Sequence, residues 1–339
     1  MDSLKSCVDT YLSSGNVNNI AIRIGKNNCI YTDIFESANG SINQNTLFDI
    51  ASVTKIVVTT TLCHMAFDKR ILSPQDRVSK FFNVPQDKSE MSVFHLLTHT
   101  MGIGYKNLTQ STTTPKNIEN HILNIPSDFP IGSHTQYSCP GYILLGRILE
   151  EVFGESLDIL FDKFVAKPLD MKNSMFRPTA KCNMVNSNLL ASELGTVNDI
   201  NCRFLGGVSG NAGLFSCIED MTKYAQMLVN CGHPLIKKET FSDSIKNYTR
   251  GKSASRALGY VYVDEKYSQT GNLFSVGSIG HCGHTGQSVF VDLKTGLYVI
   301  ILSDATIATT KKYGEEKYDI VMKMREDIHN SILKDIERM

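Results

Sequence analysis

The sequence predicts an α+β protein: one antiparallel sheet built from both chain ends, flanked by helices, with an all-helical insertion between them. Two observations carry this. Strand-like runs gather toward the termini, at 19–24 and 28–35 and again at 257–263, 274–279, 288–293 and 296–303. Between them, apolar residues recur at helical spacing. The connections within each strand group are short, which favours antiparallel neighbours. The expected organisation is an α/β region of residues 1–60 plus 248–339 and a mainly helical region of 61–247. The active site is expected between them.

Leu4, Cys7, Val8, Tyr11 and Leu12 share one face of a short amphipathic helix. Gly25-Lys26-Asn27 is turn chemistry that splits the first hairpin. From Ser52 to Phe67 the apolar residues Val53, Ile56, Val57, Val58, Leu62, Met65 and Ala66 lie nearly all round, the mark of a buried helix. Residues 91–100 keep helical spacing. Pro140 suits the first turn of a helix reaching about Val152. Further helices are expected over 216–228 and 238–246. Leu293-Lys294-Thr295-Gly296 reads as a hairpin turn. A last helix starts near Glu315, with Val321, Met324, Ile328, Ile332 and Ile336 in one stripe.

The 339 residues suffice for one large domain or two ordinary ones. Lys and Arg number 34, as do Asp and Glu, so no basic surplus points to nucleic acid or an anionic membrane. No apolar run is long enough to span a bilayer. The N-terminus lacks the basic and apolar regions of a secretory signal, so a cytoplasmic protein is expected unless a signal was removed. Nine cysteines, with no Cys-x-x-Cys, suit reduced thiols rather than a disulfide framework or zinc ribbon.

Three stretches can carry chemistry. In Ser52-Val53-Thr54-Lys55, positions i and i+3 share a helix face, which brings an amine to a hydroxyl. A serine needs a base to become a nucleophile, and burial disfavours a charged amine. Tyr137-Ser138-Cys139 lies at a helix entrance, where a tyrosine can shuttle protons if nearby cations lower its pKa. Gly280-His281-Cys282-Gly283-His284-Thr285-Gly286-Gln287 joins two strand runs, and its glycines let a substrate approach the backbone. On a strand, His281 and His284 would point to opposite faces, so no metal is expected there. His95 and His99 have the spacing of a zinc pair but lack the glutamate of HExxH, and are read as structural. No cofactor is expected.

The order Ser-x-x-Lys, Tyr-Ser-x, then Lys/His-x-Gly resembles the penicillin-recognising serine hydrolases, in the class C β-lactamase branch that also holds penicillin-binding proteins, D-amino-acid peptidases and carboxylesterases. The stretches 96–103, 205–216 and 225–228 agree, and the resemblance covers about 45–304. It implies a β-lactamase/transpeptidase-like fold. It also implies that Ser52 is the acylated nucleophile, that Lys55 and Tyr137 share the general-base work, and that Tyr137 helps deliver the deacylating water. Both His281-Cys282-Gly283 and His284-Thr285-Gly286 fit the third motif. The register of branch members places His281 in the lysine/histidine position, with Gly283 following. The N–H groups of Ser52 and His284 then form the oxyanion hole. Two departures stand out. Cys139 replaces the family's substrate-holding asparagine, and His281 replaces its lysine, which makes the site's charge depend on pH.

The expectation is therefore a metal-independent serine hydrolase acting on a small ester or amide. The alternatives are a true β-lactamase or D,D-peptidase, or a non-catalytic homologue that binds ligand. The partner is a small ester, amide or β-lactam, and oligomeric state is not legible. The loops 105–117 and 250–256 are expected to be mobile and to border the site.

Overall fold

A computed structural model describes residues 1–109, 114–187 and 194–338. The chain opens with α1 (Asp2–Ser13), the hairpin β1 (Asn19–Lys26) and β2 (Cys29–Ser37), and the short β3 (Phe48–Asp49). A 3-10 turn (Ala51–Val53) and a π-helical segment (Lys55–Thr60) then lead into α2 (Thr61–Asp68). The middle carries α3 (Val93–Leu97), α4 (Ile118–Asn124), α5 (Cys139–Phe153), α6 (Leu157–Phe161), β4 (Met175–Phe176), α7 (Ile200–Phe204), β5 (Leu214–Ser216), α8 (Ile218–Val229) and α9 (Lys238–Ser244). The last part returns to strands: β6 (Val261–Tyr262), β7 (Ile279–Cys282), β8 (Ser288–Val291) and β9 (Leu297–Ser303), followed by α10 (Ala305–Tyr313) and α11 (Tyr318–Ile336).

The two ends of the chain meet in one six-stranded sheet, ordered β2-β1-β9-β8-β7-β6. Every pairing is antiparallel, and β1 joins β9 from Ile20↔Ser303 to Lys26↔Leu297. Side chains alternate between the faces of a strand. Ile20, Ile22, Ile24, Val299 and Ile301 therefore face Leu4 and Val8 of α1 and Val321, Met324, Ile328 and Ile332 of α11. Ala21, Ile300 and Leu302 face the opposite way, toward Met221, Ala225 and Leu228 of α8. Arg23 is buried on that second face, where Asp33 pairs with it at 2.7 Å and Glu219 at 2.9 Å.

Two local expectations change, and two elements were not expected. Residues 257–263 pair as a strand only at Val261–Tyr262, and 274–278 do not pair as a strand at all. Phe274 still reaches the core, but from an irregular segment turned by Gly277, whose N–H bonds the Val263 carbonyl. An apolar run marks burial, and burial does not require a ladder partner. The helix α10 escapes the sequence pattern because its first turns are all alanine and threonine beside one isoleucine. The three-stranded sheet β3-β5-β4 escapes it because strands of two or three residues carry no period.

Candidate active site

Ser52 is placed by the strain-bearing residue before it. Ala51 has φ +46°, a region in which a residue with a Cβ is uncommon. The Asp49 side chain holds it there. The Asp49 carboxylate accepts the Ala51 N–H at 2.8 Å and the Asn198 N–H at 2.7 Å. The Asp49 carbonyl in turn accepts Thr285 Oγ1 at 2.9 Å and Gln287 Nε2 at 2.6 Å, which ties the third motif to the strand that delivers Ser52. Burial pushes the Asp49 carboxyl up to about 6.

The segment after Ser52 is not the regular buried helix of the sequence reading. A 3-10 turn carries Ser52 and a π-helical stretch carries Lys55. Short π segments concentrate at functional positions. The i, i+3 contact survives: Lys55 Nζ lies 3.1 Å from Ser52 Oγ. Lys55 is fully buried, and its other partners are the Asn211 carbonyl at 2.8 Å and Cys139 Sγ at 3.6 Å. None of the three is an anion. The amine also stands 4.9 Å from the Tyr137 ring centroid and 5.5 Å from that of Tyr142. Asn211 reaches Lys55 because Gly210 passes against α5: a Cβ on Gly210 would stand 2.1 Å from the Tyr142 carbonyl oxygen.

Tyr137 Oη donates to Ser52 Oγ at 2.6 Å. Its backbone is fixed by the start of α5, where Ser138 Oγ accepts the Gly141 N–H at 3.2 Å. Its ring lies 4.9 Å from that of His99, which accepts the Ser138 N–H on Nδ1 at 3.0 Å. His99 thus buttresses the tyrosine. His95 instead bonds Ser92 at the head of α3, so the two histidines do separate structural work. Nearby cations do not set the Tyr137 phenol, contrary to the sequence expectation. Burial comes first and raises it well above the ordinary tyrosine value, so the group is a neutral donor.

His281 sits on β7, buried, with its ring 6.2 Å from that of Tyr137. Burial, with Lys55 and Arg256 beside it, holds its pKa well below 6.5. The pH-dependent charge expected from the sequence is therefore replaced by a neutral ring. Nδ1 lies 2.7 Å from the Cys282 carbonyl, so Nδ1 carries the proton. Nε2 is left as a buried acceptor with no partner among the described residues. Gly283 allows the motif to close on the nucleophile segment, because a Cβ there would stand 2.6 Å from the Ile50 carbonyl oxygen. We predict that Gly283→Ala lowers activity while a thermal melt still shows a cooperative transition. The His284 side chain turns to the rim, stacked on Tyr318 at 5.3 Å and 3.2 Å from Glu316. Cys139 opens α5, and burial raises its thiol, which stays protonated.

These groups open on a cavity of about 820 Å³, also lined by Tyr105, Asp199, Arg203, Arg256 and Tyr267. Both border loops of the sequence reading reach it, through Tyr105 and Arg256; residues 110–113 of the first lie outside the described residues. Sequence reasoning missed the Asn211 carbonyl and Asp49. Only the glycines around Asn211 signalled a close backbone approach.

A family model described as beta-lactamase matches residues 5–317. The chain belongs to the beta-lactamase family. It is 27% identical over 300 residues to a putative D-alanyl-D-alanine carboxypeptidase of Escherichia coli K12, covering 76% of this chain and 69% of that one. Two solved structures share the fold. EstCE1, a hydrolase with promiscuous acyltransferase activity, has a TM-score of 0.76 at 18% identity over 97% of this chain and 98% of its own. A class C beta-lactamase has a TM-score of 0.75 at 18% identity, over 97% and 95%. The two departures already legible in the sequence, Cys139 and His281, are here a protonated thiol and a neutral imidazole.

Burial of neutral imidazoles has a consequence for stability. His64 and His329 are lowered to about 4, and His99 and His281 lie well below 6.5, each chiefly through burial. These rings protonate only on unfolding, so their contribution is present above pH 6.5 and is lost as pH falls below it. Asp49, Asp220 and Asp304 are raised and act in the opposite sense. The histidines dominate as pH falls from 7 toward 6, so denaturant unfolding is expected to show a net proton uptake that is small at pH 7 and larger at pH 6.

Proposed function

We propose that this protein hydrolyses a small ester or amide through an acyl-Ser52 intermediate. One observation carries the reading: Lys55 Nζ at 3.1 Å and Tyr137 Oη at 2.6 Å converge on Ser52 Oγ at the edge of the cavity. As Ser52 Oγ bonds the substrate carbonyl carbon, its proton passes to the Lys55 amine, the proposed base. The carbonyl oxygen becomes an oxyanion, held by the N–H groups of Ser52 and His284. On collapse, the bond to the leaving group breaks, and Tyr137 Oη relays a proton to it from Lys55. Water then attacks the acyl carbon, returning its proton along the same path and freeing Ser52. The hydrogen-bonded Ser52, Lys55 and Tyr137 argue against a quiet binding homologue.

The polar walls favour a plain ester or small amide. His281 Nε2 offers an acceptor rather than a cation, and Cys139 offers a weak donor where an amide would grip a peptide-like substrate. One observation favours the β-lactamase or D,D-peptidase reading: Arg256 lines the same cavity, and its Nε is buried with no partner among the described residues. A substrate carboxylate would satisfy it.

The test is turnover of a short-chain chromogenic ester beside a chromogenic cephalosporin, with Ser52→Ala as background. Serine-dependent ester turnover that exceeds cephalosporin turnover supports the first reading. The reverse order supports the second. We predict that Cys139→Asn raises the cephalosporin-to-ester ratio by about tenfold, since an amide adds donors and an acceptor beside Lys55. All nine thiols are free, which supports a proposed reducing, cytoplasmic setting.

A further inference from the structure

Arg325 of α11 is fully buried, yet its hydrogen-bond partners are neutral oxygens. They are Gln269 Oε1 at 2.6 Å, Tyr318 Oη at 3.3 Å and the Gly283 carbonyl. A buried cation without a carboxylate partner is expensive. Its helix neighbours Val321 and Ile328, one turn either side, show what packing alone selects there. The contact with Gly283 gives the charge a purpose. The Gly283 carbonyl and the His284 N–H belong to one planar trans peptide, so holding the oxygen fixes the N–H in the opposite direction. A cation at the carbonyl end also polarises that peptide and strengthens its N–H as a donor.

The next carbonyl is held as well. Thr306 of α10, buried, donates its hydroxyl to the His284 carbonyl. Gly283 N–H bonds the Gln287 carbonyl at 2.9 Å, and Gly286 N–H also reaches the Gly283 carbonyl, at 3.2 Å. The backbone on both sides of the His284 N–H is thus immobilised by two helices from the far end of the chain. Gly283 meanwhile packs against Ile50 and Ala51, next to the nucleophile.

We infer that Arg325 and Thr306 are positioning residues for the oxyanion site, clamping the two carbonyls that flank the His284 N–H before substrate arrives. The inference rests on the reading of Ser52 as nucleophile and the His284 N–H as oxyanion donor. A preorganised donor acts on the charge that develops in the tetrahedral state, not on the bound ester. Loss of the clamp therefore lowers kcat and the affinity for a tetrahedral mimic, and leaves KM almost unchanged.

The experiment measures Ki for an arylboronic acid, which forms an anionic tetrahedral adduct on serine, together with kcat and KM for the chromogenic ester. Wild type, Arg325→Met, Thr306→Val and Ser52→Ala are compared. Arg325→Met is expected to raise Ki and lower kcat by about tenfold or more, with KM within about twofold. Thr306→Val is expected to move both the same way by about threefold. Equal changes in Ki and KM, or an unchanged Ki in both folded variants, would overturn the clamp. If Arg325→Met does not fold, Thr306→Val decides, since it removes one buried hydroxyl at nearly constant shape; an unchanged Ki then refutes the inference. Failure of the underlying reading has its own signature, boronate binding as tight in Ser52→Ala as in wild type, and it overturns the clamp along with the nucleophile.

Discussion

Lys55→Met is expected to lower kcat/KM for the chromogenic ester by about 10³-fold or more, because the proposed base beside Ser52 is removed and nothing replaces it. Among the described residues, Tyr137 is the other group within hydrogen-bond reach of Ser52 Oγ, and burial keeps its phenol neutral. Methionine fills similar space in the same buried channel. It leaves the Asn211 carbonyl without its 2.8 Å donor, a loss of about 1–3 kcal/mol. Removing a buried amine with no anionic partner offsets part of that cost. Thermal unfolding should therefore move by only a few degrees while activity collapses. Residual activity should rise with pH, as hydroxide takes over from the missing base. A variant that keeps wild-type kcat/KM would remove Lys55 from the mechanism.

Ser52→Ala is expected to reduce turnover by about 10⁴-fold or more, leaving only what the oxyanion donors and binding supply. The change removes one hydroxyl from a partly buried side chain, so the fold is expected to persist. Residues that act as one unit are not additive. The double variant Ser52→Ala with Lys55→Met should thus be no slower than Ser52→Ala alone. A further multiplicative loss in the double variant would mean that Lys55 acts on something other than Ser52.

The contact between Ser52 and Lys55 was legible because a spacing of three residues forces proximity whether the local helix is 3-10, α or π. The departure from regular helix was not legible. Ala51 takes its positive φ beside Asp49, which Asn198 holds, and beside Gly283 packing across the junction, and Asn198 and Gly283 are distant in sequence. The same limit explains the charge states. Tyr137 and His281 were expected to respond to neighbouring cations and to pH, but burial dominates both, and burial belongs to the folded chain. The sheet was readable where apolar runs bounded by turn residues do form a ladder, as in β1 and β9. It was misread where an apolar run such as 274–278 is buried without a ladder. Arg325 left a trace. It stands four residues after Val321 and three before Ile328, on the apolar stripe of the last helix, where a charge has no packing reason to be.

The central claim is a covalent acyl group on Ser52, and mass spectrometry reads it directly. Wild type and Ser52→Ala would be quenched shortly after mixing with a chromogenic acetate ester, then weighed intact and as peptides. The account predicts one added acetyl group, confined to the peptide that carries Ser52, forming and decaying with turnover and absent from Ser52→Ala. Steady turnover by wild type with the acetyl group on another residue, and undiminished in Ser52→Ala, would contradict it.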